Sequence, residues 1–390
     1  MTRSLLQPEP VSEKTGMSID VYRRLAHHLD DLPGGFPPTD SGVELRILQR
    51  LFSPEEASWA VHLTLIPETA EIVARRAGLD ADTAGSRLEE MARKGLIFRI
   101  VSSDGQRRYM AAQFVVGIWE FHLNDLNPEF VQDMHEYIPH LLSEAWKIPQ
   151  LRTIPVGRSI TADLHVMPYE KAEELVWRHR KAAVAPCICR REMAVAGKPC
   201  DKPEETCVTF GTAAAYYLEN GLGRPVEGRE IIDILQMAEE SGLVLQPSNA
   251  QRAANICMCC GCCCAVLRNL KTLPRPVDYV VSAFTAAAEP DLCQGCQVCV
   301  DRCQMDAIRM EEDRPVIDED RCIGCGLCVT TCPSGALSLV RKPEPEQPEV
   351  PKDMVRSALK LARARGKLGL SELVVMQAKS KIDRFLGLKR

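Results

Sequence analysis

The chemistry of this chain is carried by sulfur. All 18 of its cysteines fall between Cys187 and Cys332, and eight of them repeat one spacing: Cys293-x2-Cys296-x2-Cys299-x3-Cys303 and Cys322-x2-Cys325-x2-Cys328-x3-Cys332, with Pro333 after the last. A cubane of iron and sulfide needs four thiolates at four corners; one tight loop delivers three and leaves a fourth to come from elsewhere. Zinc knuckles or ribbons, the plainer alternative, take four ligands from one local unit and have no use for the third short step. Gly295, Gly324 and Gly326 let loop backbone approach a cluster and aim N–H groups at its sulfurs. Ala307-Ile308 and Ala336-Leu337 follow the fourth cysteine of each run at equal offsets.

The two runs resemble the bacterial two-cluster [4Fe-4S] ferredoxins. In that family the fourth cysteine of each run ligates the other cluster. The resemblance therefore implies one cluster on Cys293, Cys296, Cys299 and Cys332, and a second on Cys322, Cys325, Cys328 and Cys303. One departure is Gln304, which stands where the first run usually has proline; it loosens a turn and removes no ligand. The segment from Glu289 to Val340 carries 10 acidic and 4 basic residues, a surface that favours basic redox partners.

Ten cysteines lie upstream: Cys187, Cys189, Cys200 and Cys207, then Cys257, Cys259, Cys260, Cys262, Cys263 and Cys264. They are too many for chance packing and read as metal ligands. The first four have the right number for one more cubane or one structural zinc, and the second group closes a further cluster. Adjacent cysteines such as Cys259 and Cys260 point in different directions, so both serve only if one bridges or if they face different metals. The Cys-Cys-Gly step faintly resembles the motif of heterodisulfide reductase subunits. The stretches PCICRRE, ETCVTFG and CMCCGCCC are similar to segments of uncharacterised anaerobe ferredoxin-fusion proteins. The expected cofactors are two [4Fe-4S] clusters and one or two further iron-sulfur clusters; zinc, free thiols or a redox disulfide are the alternatives for the upstream cysteines.

The elements that must position these residues read as an α+β protein. Residues 1–40 form an N-terminal arm with a helix-like segment from Ile19 to Leu29. Residues 41–117 follow as three short helices and a hairpin: a capping box at Ser53, Pro54 and Glu56, helices over about 67–78 and 82–95, then LIFRIV, a Ser103-Asp104-Gly105 turn and RRYMAAQF. That order resembles the winged-helix family. Residues 118–288 form a mixed α/β cysteine-rich domain, with strands at LRTIPV and ITADLHVM and helices beginning near Pro168 and ending at Gly221 and Gly242. The two-cluster ferredoxin-type domain occupies 289–341, a Pro/Glu linker 342–351 and a basic helical tail 352–390.

Composition bounds the function. The net charge of −5 excludes a polycation built to coat nucleic acid. The winged-helix segment balances 10 basic against 10 acidic residues, too neutral for strong phosphate neutralisation, so DNA is an alternative partner and protein docking the favoured one. The tail holds 11 Lys/Arg against 3 Asp/Glu; docking to a partner or to the acidic ferredoxin module is favoured over lying on an anionic membrane. No apolar run approaches the ~18 residues of a span, and the start lacks a signal-peptide core. The expectation is a cytoplasmic, anaerobic iron-sulfur component that passes single electrons between a donor and a partner oxidoreductase. The rival readings are a redox-sensing transcription regulator and a catalytic subunit acting at the middle-domain cysteines.

Overall fold

A computed structural model of the chain describes residues 12–367, apart from 103 and 147, together with 378, 381 and 382. The helix α1 (Ser12–Asp31) is longer than the segment expected there, and four short helices follow where three are expected: α2 (Val43–Leu51), α3 (Pro54–Ala60), α4 (Ala70–Ala77) and α5 (Ala81–Arg93). Ser53 caps α3 in a reciprocal box with Glu56, accepting from its N–H at 3.2 Å while the Glu56 carboxylate accepts from Ser53 N–H at 2.8 Å. α5 begins one residue before the expected start and is capped by Asp80. β1 (Phe98–Val101) and β2 (Arg107–Met110) pair as an antiparallel hairpin, and Glu68 bridges Tyr109 as a third short edge.

Two helices come next, α6 (Trp119–Phe121) and α7 (Pro128–Ala145). The second escapes a sequence reading because Pro139 sits inside it and reads as a breaker. Aromatic side chains from three separate segments then lock this layer: Phe36 packs on Phe114 and on Tyr137 at centroid distances of 4.6 and 4.9 Å.

The cysteine-rich region is built on one five-stranded antiparallel sheet, ordered β5-β3-β4-β7-β6. Its parts in chain order are α8 (Ala172–Trp177), β3 (Ala182–Pro186), α9 (Ile188–Val195), β4 (Glu205–Phe210), α10 (Gly211–Glu219), β5 (Arg224–Pro225), α11 (Gly228–Glu240), β6 (Val244–Pro247), β7 (Asn255–Cys259) and α12 (Ala265–Thr272). Gly221 and Gly242 both adopt left-handed φ just past helix ends, the role that glycine fills without a Cβ clash. LRTIPV contributes only bridges, Leu151 to Ser248 and Ile154 to Leu245. ITADLHVM is not a strand: it finds no partner edge, and Leu164 and Val166 instead pack on a small cluster of Ala283, Phe284 and Leu339.

The last module begins earlier than residue 289. β8 (Phe284–Ala288) pairs antiparallel with β11 (Leu337–Arg341), enclosing α13 (Val298–Arg302) and the hairpin of β9 (Ile308–Glu311) with β10 (Arg314–Ile317). Two large cores result. One joins α1–α7 to α10; the other runs from the five-stranded sheet into the cysteine module. Packing therefore crosses the boundaries drawn at 117 and 288.

The 342–351 segment lies along the body, with Gln251 N–H donating to Pro351 O at 2.8 Å. α14 (Met354–Ala364) follows, capped by Asp353. Its end returns to α1 and not to the acidic module: Arg365 donates to the Asp30 and Leu32 carbonyls at 2.9 and 2.8 Å and to the Asp30 carboxylate at 2.6 Å, while Lys367 reaches Asp30 at 2.6 Å. A cation thus completes the carbonyl end of a helix. The rest of the expected basic tail, 368–377, 379–380 and 383–390, lies outside the described residues, as does the start of the arm, 1–11. No helix of the described residues is long and apolar enough to cross a membrane.

Removal of one member of a buried ion pair leaves the other uncompensated. Arg365→Ala should therefore lower unfolding free energy by about 3 kcal/mol in denaturant titration. Burial works to raise the Asp30 carboxyl, but Lys367, the Phe36 N–H and Arg365 together hold it below the usual range. The folded value is the lower one, so this stabilisation is present above the unfolded value of 3.8 and is lost as pH falls through the depressed one. The variant should show a smaller loss of stability over that acid window than the parent chain.

Candidate metal centres

The eight repeat cysteines surround two small cavities. Cys293, Cys296, Cys299 and Cys332 line one of about 10 Å³; Cys303, Cys322, Cys325 and Cys328 line another of about 20 Å³. Each therefore gathers three sulfurs of one run and the fourth of the other. Backbone N–H groups aim at these sulfurs: Gly295 at Cys293 (3.3 Å), Ala307 at Cys303 (3.2 Å) and Ala286 at Cys322 (3.4 Å). Such donors stabilise negative charge on sulfur. Burial pushes the Cys325 thiol up to about 12 and moves Cys303 and Cys328 upward too, so these sulfurs ionise readily only against the charge of a metal. Both rings fit a thiolate-bound cluster.

The two rings differ in exposure. Cys296 is exposed, with Leu292 and Val298 half-exposed beside it. The second loop is buried against the body: a Cβ on Gly324 would lie 2.1 Å from Phe284 O, one on Gly326 2.1 Å from Ser159 Oγ, and both glycines have left-handed φ. Val156 N–H also donates to Cys325 O at 3.0 Å.

The ten upstream cysteines divide differently from the four-and-six grouping drawn along the chain. Cys200 leaves Cys187, Cys189 and Cys207 to join Cys260, Cys262 and Cys263, and these four sulfurs lie within 4.8 Å of one another. Four thiolates around a single Zn²⁺ at about 2.3 Å stand roughly 3.8 Å apart, whereas the four irons of a cubane hold theirs further apart. This quartet fits one tetrahedral ion.

The other six meet because of strand register. Cys207 on β4 lies directly across from Cys257 on β7, and Cys259, two residues on, shares the face of Cys257. Cys187 stands at the start of α9, Cys189 on its first turn, and Cys264 at the start of α12. All six line a cavity of about 390 Å³ between the N-terminal helical layer and the sheet. Their thiols interact in a row, Cys187, Cys189, Cys264, Cys259, Cys257, Cys207, and in each the neighbouring sulfur is the largest influence. It draws Cys187, Cys264 and Cys257 down and pushes Cys189, Cys259 and Cys207 up.

Three polar residues complete the arrangement, and none has a role legible in the sequence alone. Arg190 is 5% exposed and donates to Thr206 Oγ1 and, at 2.9 Å, to Met258 O. Burial works against its charge, but Cys187, Cys260, Cys259 and Cys200 more than offset this, so one guanidinium serves both sulfur groups. Glu120 lines the large cavity and accepts from Gly117 N–H at 2.7 Å. Burial pushes its carboxyl up to about 8; a lone acid in the apolar stretch VVGIWEF is the only signal its sequence offers. Gln304, the departure from proline, accepts from Gly261 N–H through Oε1 at 2.7 Å. A Cβ on Gly261 would stand 2.3 Å from the Gln304 carbonyl oxygen, so the CCGCCC loop rests directly on the residue after Cys303.

Comparison with known proteins bears on one part of this picture. Residues 292–336 match the model of the 4Fe-4S dicluster domain family. No curated protein and no solved structure matches the chain. The matched domain and the abundance of cysteine support an iron-sulfur electron-transfer protein.

Proposed function

We propose that the chain is a ferredoxin-type relay in which single electrons enter at an exposed cluster, pass to a buried one and leave toward the middle domain and a partner oxidoreductase. Cys293, Cys296, Cys299 and Cys332 hold the entry cluster; Cys303, Cys322, Cys325 and Cys328 hold the inner one. The observation that carries this reading is the asymmetry of the two rings, the first open beside Leu292 and Val298, the second buried and joined by Gln304 to Gly261. When bound, such clusters supply reversible one-electron exchange. The chain's own contribution is to shield the inner ring, donate N–H groups to its sulfurs and seat it on the middle domain. Cys200, Cys260, Cys262 and Cys263 hold a single divalent ion that pins the loop in contact with Gln304.

The rival reading, a regulator that grips DNA through residues 41–117 as a winged helix, is disfavoured by charge. Arg87 pairs with Glu55 (3.2 Å), Arg93 with Glu89 (3.3 Å) and Lys94 with Glu56 (2.8 Å). Cations already neutralised at these distances release few counterions from a duplex. This layer instead docks on the sheet domain: Tyr216 O–H donates to Ala92 O at 2.7 Å, and Arg99, 3% exposed at its side chain, bonds Glu89 and Glu219.

That outside proteins exchange electrons at the exposed ring is tested with a basic c-type cytochrome as acceptor from the reduced protein. The exposed turn of Glu312 and Asp313 borders Gly295. Converting both to lysine should slow cytochrome reduction about tenfold at low salt and abolish its salt dependence, since steering acts on encounter. An unchanged rate with intact clusters would move the entry point elsewhere.

A further inference from the structure

The six-cysteine cavity is far larger than the space inside either ring of repeat cysteines. We propose that Cys187, Cys189, Cys207, Cys257, Cys259 and Cys264 hold a polynuclear iron-sulfur centre and that the remaining space admits a neutral, largely apolar small molecule to its metal. The site stands on its own geometry; only its supply of electrons rests on the relay reading.

Three observations carry it. The six sulfurs line one cavity, yet among the described residues the set that closes within 4.8 Å of one another is the Cys200 quartet, so no single ion reaches all six. A metal centre on all of them therefore needs several metals, and sulfide is the ligand that bridges metals among thiolates. Second, the cavity measures about 390 Å³, against about 20 and 10 Å³ for the two rings of repeat cysteines. A cluster of cubane size leaves most of that volume free, within the range of small-molecule sites. Third, the walls differ. The sheet domain contributes the sulfurs and Arg190, while the N-terminal layer contributes Phe98, Trp119, Phe121, Leu141 and Trp146, with Glu120 among them. The buried Arg190 guanidinium, held by Thr206 Oγ1 and Met258 O, lines the same cavity and supplies positive charge beside the sulfurs. An aromatic and aliphatic wall selects an uncharged, apolar ligand, because a charged one would lose its hydration without replacement.

The test uses the full chain, purified or reconstituted without oxygen, with n-butyl isocyanide as a neutral metal-ligating probe. Iron and sulfide should exceed the about eight per chain of two cubanes. Cys257→Ala and Cys264→Ser should each remove that excess while the reduced EPR signals of the repeat clusters stay, which also reports that the protein has folded. Isocyanide should perturb only the signals of the excess iron. Ala213→Leu, which narrows the cavity and leaves every cysteine in place, should keep the iron and weaken the isocyanide response by roughly tenfold or more, the scale of overfilling a packed site. Iron at about eight, or six free thiols or three disulfides at these positions, would overturn the centre. A response insensitive to Ala213→Leu would overturn the ligand space. A broken relay would leave both iron count and isocyanide response in place, so the two readings fail separately.

Discussion

Cys332→Ala should cost the protein the cluster of the other run: about four irons lost, with the cluster held by Cys322, Cys325, Cys328 and Cys303 still reducible. The expectation follows from cavity lining, which sets Cys332 with Cys293, Cys296 and Cys299 and Cys303 with the second run. Double variants make it decisive. Cys332→Ala with Cys293→Ala should lose no more iron than either alone, because both strip one centre. Cys332→Ala with Cys322→Ala should lose about eight, because they strip two. Clusters whose four ligands all come from one run predict the reverse pattern. Iron analysis and EPR of the reduced protein read the outcome, and the interaction between two paramagnetic clusters should vanish in each single variant.

The second large effect is expected at the seam between modules. Gln304→Pro restores the residue usual after the fourth cysteine but leaves the buried Gly261 N–H without its acceptor, at a cost of about 1–3 kcal/mol. Gly261→Val acts from the other side, since even a Cβ would stand 2.3 Å from the Gln304 carbonyl, and overpacking carries a similar cost. In both variants the two repeat clusters should load iron and accept electrons from a donor as before. Passage onward to the middle domain should slow by about tenfold or more, the factor that 1.4 kcal/mol represents when transfer requires the closed contact. Rapid mixing with freeze-quench EPR separates the two phases. Onward transfer at the parental rate would show that electrons do not cross at Gln304.

How much of this was legible in the sequence depends on whether a feature is local. The repeat spacing, the Ser53–Glu56 cap and the stops at Gly221 and Gly242 are set by residues within a few positions of one another, and each stands in the fold where pattern places it. The division of the ten upstream cysteines is not local. Cys200 follows α9 in a loop, while Cys207 lies on a strand whose register with β7 brings it to Cys257 across 50 residues, and no spacing rule encodes that pairing. The alternation of a strand explains why Met258 separates two cysteines of one face, but which cavity Cys259 and Cys260 each serve follows from the loop that breaks at Gly261. ITADLHVM has the alternation of a strand and no neighbour to pair with, so pattern alone misleads there. Gln304 is visible as an exception in sequence; its reason is a backbone 43 residues away.

The clasp between Arg365 and the end of α1 spans 335 residues, and Met354, just upstream of it on α14, lines the large cavity. Contacts so distant along the chain form late, because the entropy of closing the loop must be met before the contact rewards it. The contacts of Arg365 and Lys367 with α1 are therefore expected among the last to form, after the sheet is in register. Loading of the centre proposed at the six cysteines would then precede that closure, which adding iron and sulfide before or after refolding tests.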